Sequence, residues 1–237
     1  MSVALTVVSL LGPDLLDWLF KPEMALVIAF VVMYKVGDST LGRMVKPFWV
    51  DTGMSTTEIG VVSSSLGMGL TIVGALLGGW YIARRGIFSA LVWMGIAQLV
   101  SNFGYVAVAA LDLPMGDSVL DLGFTQLSGG PFQYAIYAAS VVESITQGLG
   151  TAAFLSFLMN LCDRKHAATQ YALLTACFSI SRDVGGAFSG LGVEKLGYPV
   201  YFALTASLAI PALAMLPWIK SRIREEGETP PPGAEAA

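Results

Sequence analysis

Residues 24–47 read MALVIAFVVMYKVGDSTLGRMVKP, and this stretch decides the fold. Met24 to Met33 are apolar without exception, and Lys35 and Asp38 follow within the same run. About 20 helical residues cross a hydrocarbon core of roughly 30 Å, so residues 24–46 are long enough to span a bilayer. Lys35 falls at the middle of that span. A charge at that depth costs at least about 2.5–3.5 kcal/mol, so it is kept for a partner or a task. At 100° per residue, Lys35, Asp38, Gly42 and Lys46 share one stripe of the helix. The reading is a membrane helix with one wet face, ended by Pro47, which resists helix continuation.

The composition of the 237 residues extends that reading to the whole chain. Apolar residues make up 55% and charged residues only 13%, against about 25% charged in soluble domains. The lipid bilayer is the first partner expected. A net charge of −4, with no long basic tract, argues against nucleic acid. Cys162 and Cys177 fall in or beside apolar spans and form neither a disulfide framework nor a CxxC metal pattern. No metal or other cofactor is expected. HExxH, GxSxG and paired catalytic aspartates are missing as well, so no enzyme is read here.

Six spans follow from hydropathy: residues 24–46, 57–83, 87–111, 132–161, 169–191 and 200–219. The fold class is therefore an all-α membrane protein. Residues 1–23 read as a cytoplasmic linker, with a short interfacial helix in PDLLDWLFK at 13–21. Residues 24–219 form the bundle, and 220–237 read as a disordered, Pro-rich cytoplasmic tail. The second span opens with a capping box, Ser55 at the N-cap and Glu58 at N3. Its Gly74-x-x-x-Gly78 is a ridge for close helix packing. With both termini cytoplasmic, Lys21, Arg84, Arg85, Arg164, Lys165, Lys220, Arg222 and Arg224 lie inside. Arg43, Lys46 and Lys195 lie outside, which satisfies the positive-inside rule. Residues 112–130, with Asp112, Asp117 and Asp121 and no Lys or Arg, then form an outer loop, read as solvated rather than as a cation site.

Ionisable groups inside spans are few: Lys35, Asp38, Glu143, Arg182 and Asp183. They place spans one, four and five around something polar, with the small-residue second span beside them. Spans three and six then face lipid or support the bundle. Each group has a structural alternative. Lys35 and Asp38 are i,i+3 and could neutralise each other. Glu143 could pair with Gln147 one turn on. Arg43 and Lys46 could snorkel at a helix end. Arg182 and Asp183 are adjacent, so their side chains are expected to diverge, with Arg182 free to bind an anion or clamp Glu143. His166 reads as a solvated loop residue, and the glycines at 185, 186 and 190 as packing positions.

Gly79-Trp80-Tyr81-Ile82-Ala83-Arg84-Arg85-Gly86 has the spacing of the loop motif of the major facilitator superfamily, G-x-x-x-D-R-x-G, with Ala83 at the usual acidic position. Residues 34–38 (YKVGD), residues 143–154 (ESITQGLGTAAF) and residues 168–174 (ATQYALL) resemble the AmpG-like muropeptide permeases, within the group that also holds acetyl-coenzyme A transporters. The resemblance runs from about Gly12 to Ile219 and covers the second half of such a permease. It implies one six-helix half of a major facilitator transporter, importing anhydromuropeptides with protons at the inner membrane of a Gram-negative bacterium. The small anionic solute would meet Lys35, Arg182 and Gln147. Asp38 and Glu143 would carry protons. Gly79, Arg84, Arg85 and Gly86 would form the gating loop. Gln147 and Asp183 depart from the usual pattern. The cavity would need a six-helix first half or a second copy of this chain. A non-transporting or remnant membrane protein, or a carrier of another anion such as acetyl-coenzyme A, is the alternative.

Overall fold

The computed structural model describes residues 22–220 and 223, save 112, 117, 122, 124, 125, 164 and 165. The expected interfacial helix and nearly all of the tail lie outside these residues. Helix α1 runs Pro22–Asp51. Helix α2 runs Thr56–Arg85, with a π-helical stretch at Ile59–Leu66. Helix α3 is Ile87–Ala110 and α4 is Pro131–Leu161. Helix α5 is Ala167–Ala187, α6 is Ser189–Ser207 and α7 is Ala209–Ile219. Among the described residues, five stretches are long and apolar enough to cross a membrane: Met24–Asp51, Thr56–Arg85, Ile87–Ala110, Pro131–Leu161 and Ser189–Ile219. The chain is a helical membrane protein, and α5, the most polar of its long helices, completes the bundle.

Three details depart from the sequence reading. First, α1 does not stop at Pro47 but continues to Asp51. The lost backbone hydrogen bond is offset by Phe48 and Trp49, both buried. Phe48 packs edge-on to Phe132 and Phe202, and Trp49 lies against Tyr137. Second, the sixth span is built from α6 and α7. Within α6, Gly197 at φ +73 breaks the helix two residues before Pro199, because a positive φ is open to glycine at little cost. Third, the outer loop is not plain coil. Ser118–Asp121 (β1) and Gln126–Gly129 (β2) pair as an antiparallel hairpin.

Glu58 explains why that hairpin sits where it does. It is buried at the start of α2, and its Oε2 accepts from the Ser55 N–H at 2.7 Å, completing the expected capping box. Its Oε1 accepts from the Ser128 N–H at 2.7 Å and from the Tyr137 hydroxyl at 3.1 Å. One carboxylate thus ties α2, the hairpin and α4 together.

In lipid, packing rather than water exclusion holds helices together. The α2–α4 contact is backbone against backbone. A Cβ at Gly74 would strike the Ile145 carbonyl, and one at Gly148 would strike the Thr71 carbonyl. The anticipated glycine ridge is therefore a contact surface. Along α1 the bundle has two apolar cores. One gathers Phe30, Tyr34, Leu91, Phe154 and Phe157. The other gathers Leu41, Trp49, Tyr105, Ile136 and Phe202. Between them lies a belt of buried polar side chains from α1, α3 and α4: Lys35, Asp38, Gln98, Ser101, Asn102, Ser144 and Thr146. Ser101 and Thr146 meet at 2.7 Å across that belt.

Candidate functional site

The belt opens on one side into a cleft of about 860 Å³ between α1, α2, α4 and α5. The α1 stripe read from helical periodicity lines it in full: Lys35, Asp38, Gly42 and Lys46. Helix α2 adds Ser63, Ser64 and Thr71, α4 adds Glu143, Gln147 and Thr151, and α5 adds Arg182. All five residues expected from sequence to bind substrate or carry protons therefore face one space. The span assignment stands too, with Tyr105 as the contribution of α3 to the wall.

At the floor, Lys35 and Asp38 are only 4% and 6% exposed. The Lys35 Nζ donates to Asp38 Oδ2 at 3.2 Å and to Gln98 Oε1 at 3.1 Å. The within-helix pair is real, and Gln98, 63 residues away on α3, is its third member. Nothing in the residue pattern of span three gives Gln98 a task; only the helix pairing reveals it. Glu143 faces Lys35 and Asp38 across the cleft without a hydrogen bond to either among the described residues. No Glu143–Gln147 hydrogen bond forms among them.

At the rim the picture changes. The Arg43 guanidinium donates to Asp183 Oδ1 at 2.6 Å, joining α1 to α5. The Arg182 Nε lies 3.7 Å from the same oxygen. The expected divergence of Arg182 and Asp183 is therefore wrong, because Arg43 and Arg182 both reach the same oxygen of the exposed Asp183. Arg182 therefore pairs with Asp183 and does not clamp Glu143; its guanidinium also lies 5.9 Å from the Phe178 ring. Arg43 and Lys46, read as snorkelling residues, are instead rim residues, and Lys46 donates to the Ser64 hydroxyl at 3.3 Å. For Lys46, its place on the wet stripe of α1 was the available signal; Arg43 lies off that stripe.

The loop motif lies away from this cleft. Gly86 alone separates α2 from α3, and Arg84 and Arg85 are exposed. Arg84 stacks over Trp80 at 4.5 Å. Neither arginine has a carboxylate partner among the described residues, consistent with Ala83 at the acidic position. Gly79 faces open space. Asp121 is exposed and accepts from the Gly123 N–H, and among the described residues no three His, Cys, Asp or Glu side chains could hold a metal. Cys162 and Cys177 are free thiols.

What this geometry offers is a polar, partly charged groove in an apolar bundle, with cations and carboxylates on facing walls. Comparison with known proteins fits that chemistry. No family model matches the chain. It is 30% identical over 206 residues to the putative transporter AmpG 4 of Rickettsia conorii, covering 86% of this chain and 45% of that protein. It is 32% identical over 201 residues to the anhydromuropeptide permease of Escherichia coli K12, covering 84% and 37% respectively. The chain thus spans less than half the length of the curated relatives it matches. Among solved structures it resembles the POT family transporter PepTSo, with a TM-score of 0.59 at 15% identity over 88% of this chain and 39% of that one. It also resembles the inward-open xylose transporter XylE of E. coli, with a TM-score of 0.55 at 15% identity over 83% and 47%. These likenesses show the fold to be half of such a transporter.

Proposed function

We propose that this chain, akin by sequence to about half of an AmpG-like permease and folded as half of a major facilitator transporter, is the second half of a secondary transporter of anhydromuropeptides. The observation that carries the reading is the convergence of Lys35, Asp38, Glu143, Gln147 and Arg182 on one cleft, in a chain whose relatives are named as a putative transporter and an anhydromuropeptide permease. Charges at membrane depth are costly, and four ionisable residues on one cleft, with Gln147 beside them, call for a polar cargo.

The mechanism follows from the floor of the cleft. Lys35 Nζ is shared between Asp38 Oδ2 and Gln98 Oε1. An anionic substrate competes with Asp38 for that ammonium. Arg182, exposed at the rim, presents a fork that fits both oxygens of a carboxylate, and Gln147 hydrogen-bonds the neutral part of the solute. When Lys35 turns to the substrate, Asp38 loses its counter-charge and takes a proton. Glu143, facing both, is the second proton-carrying position. Substrate and proton then enter together, with no metal required.

One half of a cleft does not give alternating access, because that needs one bundle to rock against another. A six-helix first half, or a second copy related by an axis along the membrane normal, supplies the facing wall. We place both termini in the cytoplasm of the bacterial inner membrane from the distribution of Lys and Arg.

The test is uptake of labelled anhydromuropeptide into proteoliposomes under an imposed proton gradient, with and without a first-half partner. Uptake only in the assembled form is expected. Uptake by a demonstrably monomeric chain overturns the half-transporter assignment, and none in any assembly removes the substrate assignment. In the assembled form, Asp38→Asn or Glu143→Gln abolishes accumulation while downhill exchange continues. Wild-type accumulation by both variants would make the carboxylates structural.

A further inference from the structure

Behind Asp38, on the side away from the cleft, lies a second and much smaller cavity of about 10 Å³, lined by Tyr34, Asp38, Gly95, Gln98, Asn102 and Leu213 among others. Three polar side chains around it are more than nine-tenths buried: Asp38, Gln98 and Asn102. Each has an atom without a hydrogen-bond partner among the described residues: Asp38 Oδ1, Gln98 Nε2 and Asn102 Oδ1. We infer that this cavity is a binding site for one water molecule, held by these three atoms, and that Gln98 and Asn102 thereby position Asp38.

The count of donors and acceptors supports water. A water molecule donates twice and accepts from others. Here two oxygens need donors, and one amide N–H₂ needs an acceptor. The volume matches the roughly 10–15 Å³ that a single water requires, and three partners is the typical number for a buried water. Leaving the three atoms unpaired would cost about 1–3 kcal/mol each. A sodium ion fits poorly. The Lys35 ammonium sits 3.2 Å from the other oxygen of the same carboxylate, and the amide nitrogen of Gln98 repels a cation.

The arrangement divides the Asp38 carboxylate between two duties. Oδ2 faces Lys35, while Oδ1 is anchored from behind through water to α3. When Lys35 leaves, the carboxylate keeps its place, and a proton arriving at Oδ2 leaves Oδ1 as the acceptor of the water's hydrogen bond. Gln98 serves both sides, accepting from Lys35 through Oε1 and donating to the water through Nε2.

The role rests on the transport reading; the site does not. A structure of the full chain in lipid, at a resolution that resolves ordered water, is expected to show density within hydrogen-bond distance of all three atoms. Asn102→Leu removes one partner and is expected to remove the density, and Asn102→Ser, which keeps an oxygen, to restore it. A dry cavity, or a cation contacted by oxygens alone, overturns the site. In the assembled transporter, Asn102→Leu is expected to lower proton-driven accumulation about tenfold with downhill exchange unchanged, and Asn102→Ser to recover most of it. Equal loss of both activities, or no rescue, overturns the positioning role even if the water is seen. Failure of the wild type to transport leaves the density to decide the site.

Discussion

The two ion pairs along α1 are alike in chemistry and opposite in setting. Lys35 and Asp38 are three residues apart and buried, between two apolar cores. Arg43 and Asp183 are 140 residues apart, with side chains 41% and 63% exposed. The first is local in sequence and held by its surroundings. The second is distant in sequence and held by little except itself. A buried pair cannot lose one member cheaply, whereas an exposed pair can open and close in water. In the transport cycle proposed above, the inner pair is the one whose partner the substrate would replace, while the outer pair is a reversible link between α1 and α5.

That contrast breaks most visibly at Lys35. Lys35→Met strands a buried carboxylate and is expected to cost about 3–5 kcal/mol in equilibrium unfolding in mixed micelles. Adding Asp38→Leu should recover more than half of that loss, since an apolar replacement of both partners is far less costly than an orphan charge. If the single substitution is neutral, the inner pair is not insulated as described. A smaller effect is expected at the rim. A double-mutant cycle on Arg43→Ala and Asp183→Ala should give a coupling of about 0.2–1 kcal/mol. A coupling as large as that of the inner pair would erase the distinction between them. The smallest effect is the response to salt. Between 0.1 and 1 M salt the Debye length falls from about 10 to 3 Å, so the rim coupling should shrink by a few tenths of a kcal/mol while the inner one stays constant. Thermal midpoints of the same variants at the two salt concentrations check this.

The same contrast marks what could be read from the sequence. The inner pair was legible because helical periodicity alone puts Lys35, Asp38, Gly42 and Lys46 on one stripe. The choice of cleft-forming helices was legible because membrane charges are rare and gather where the interior is polar. The capping box at Ser55 and Glu58, and the Gly74–Gly78 ridge, are local patterns with local causes. What escaped depends on which helices meet. Gln98 reaches Lys35 only because α3 packs behind α1, and Arg43 meets Asp183 only because α5 lies beside it. Pro47 was misjudged for a similar reason. Its rule is local, but Phe48 and Trp49 are buried by distant aromatic rings. The π-helical stretch at Ile59–Leu66 left no trace in residue types that we can account for.

Glu58 carries a consequence for the order in which the molecule is made. Its Oε2 is bound by Ser55, already synthesised when Glu58 itself is added. Its Oε1 waits for Ser128 and Tyr137, which leave the ribosome 70 and 79 residues later. At a synthesis rate of about 5–20 residues per second, that interval is several seconds. During it, α2 has a finished first turn and a carboxylate with one hand empty. The hairpin closes onto that hand after α3 has been made, and α4 starts at the same point. A single side chain therefore records two moments of biogenesis, one oxygen for each.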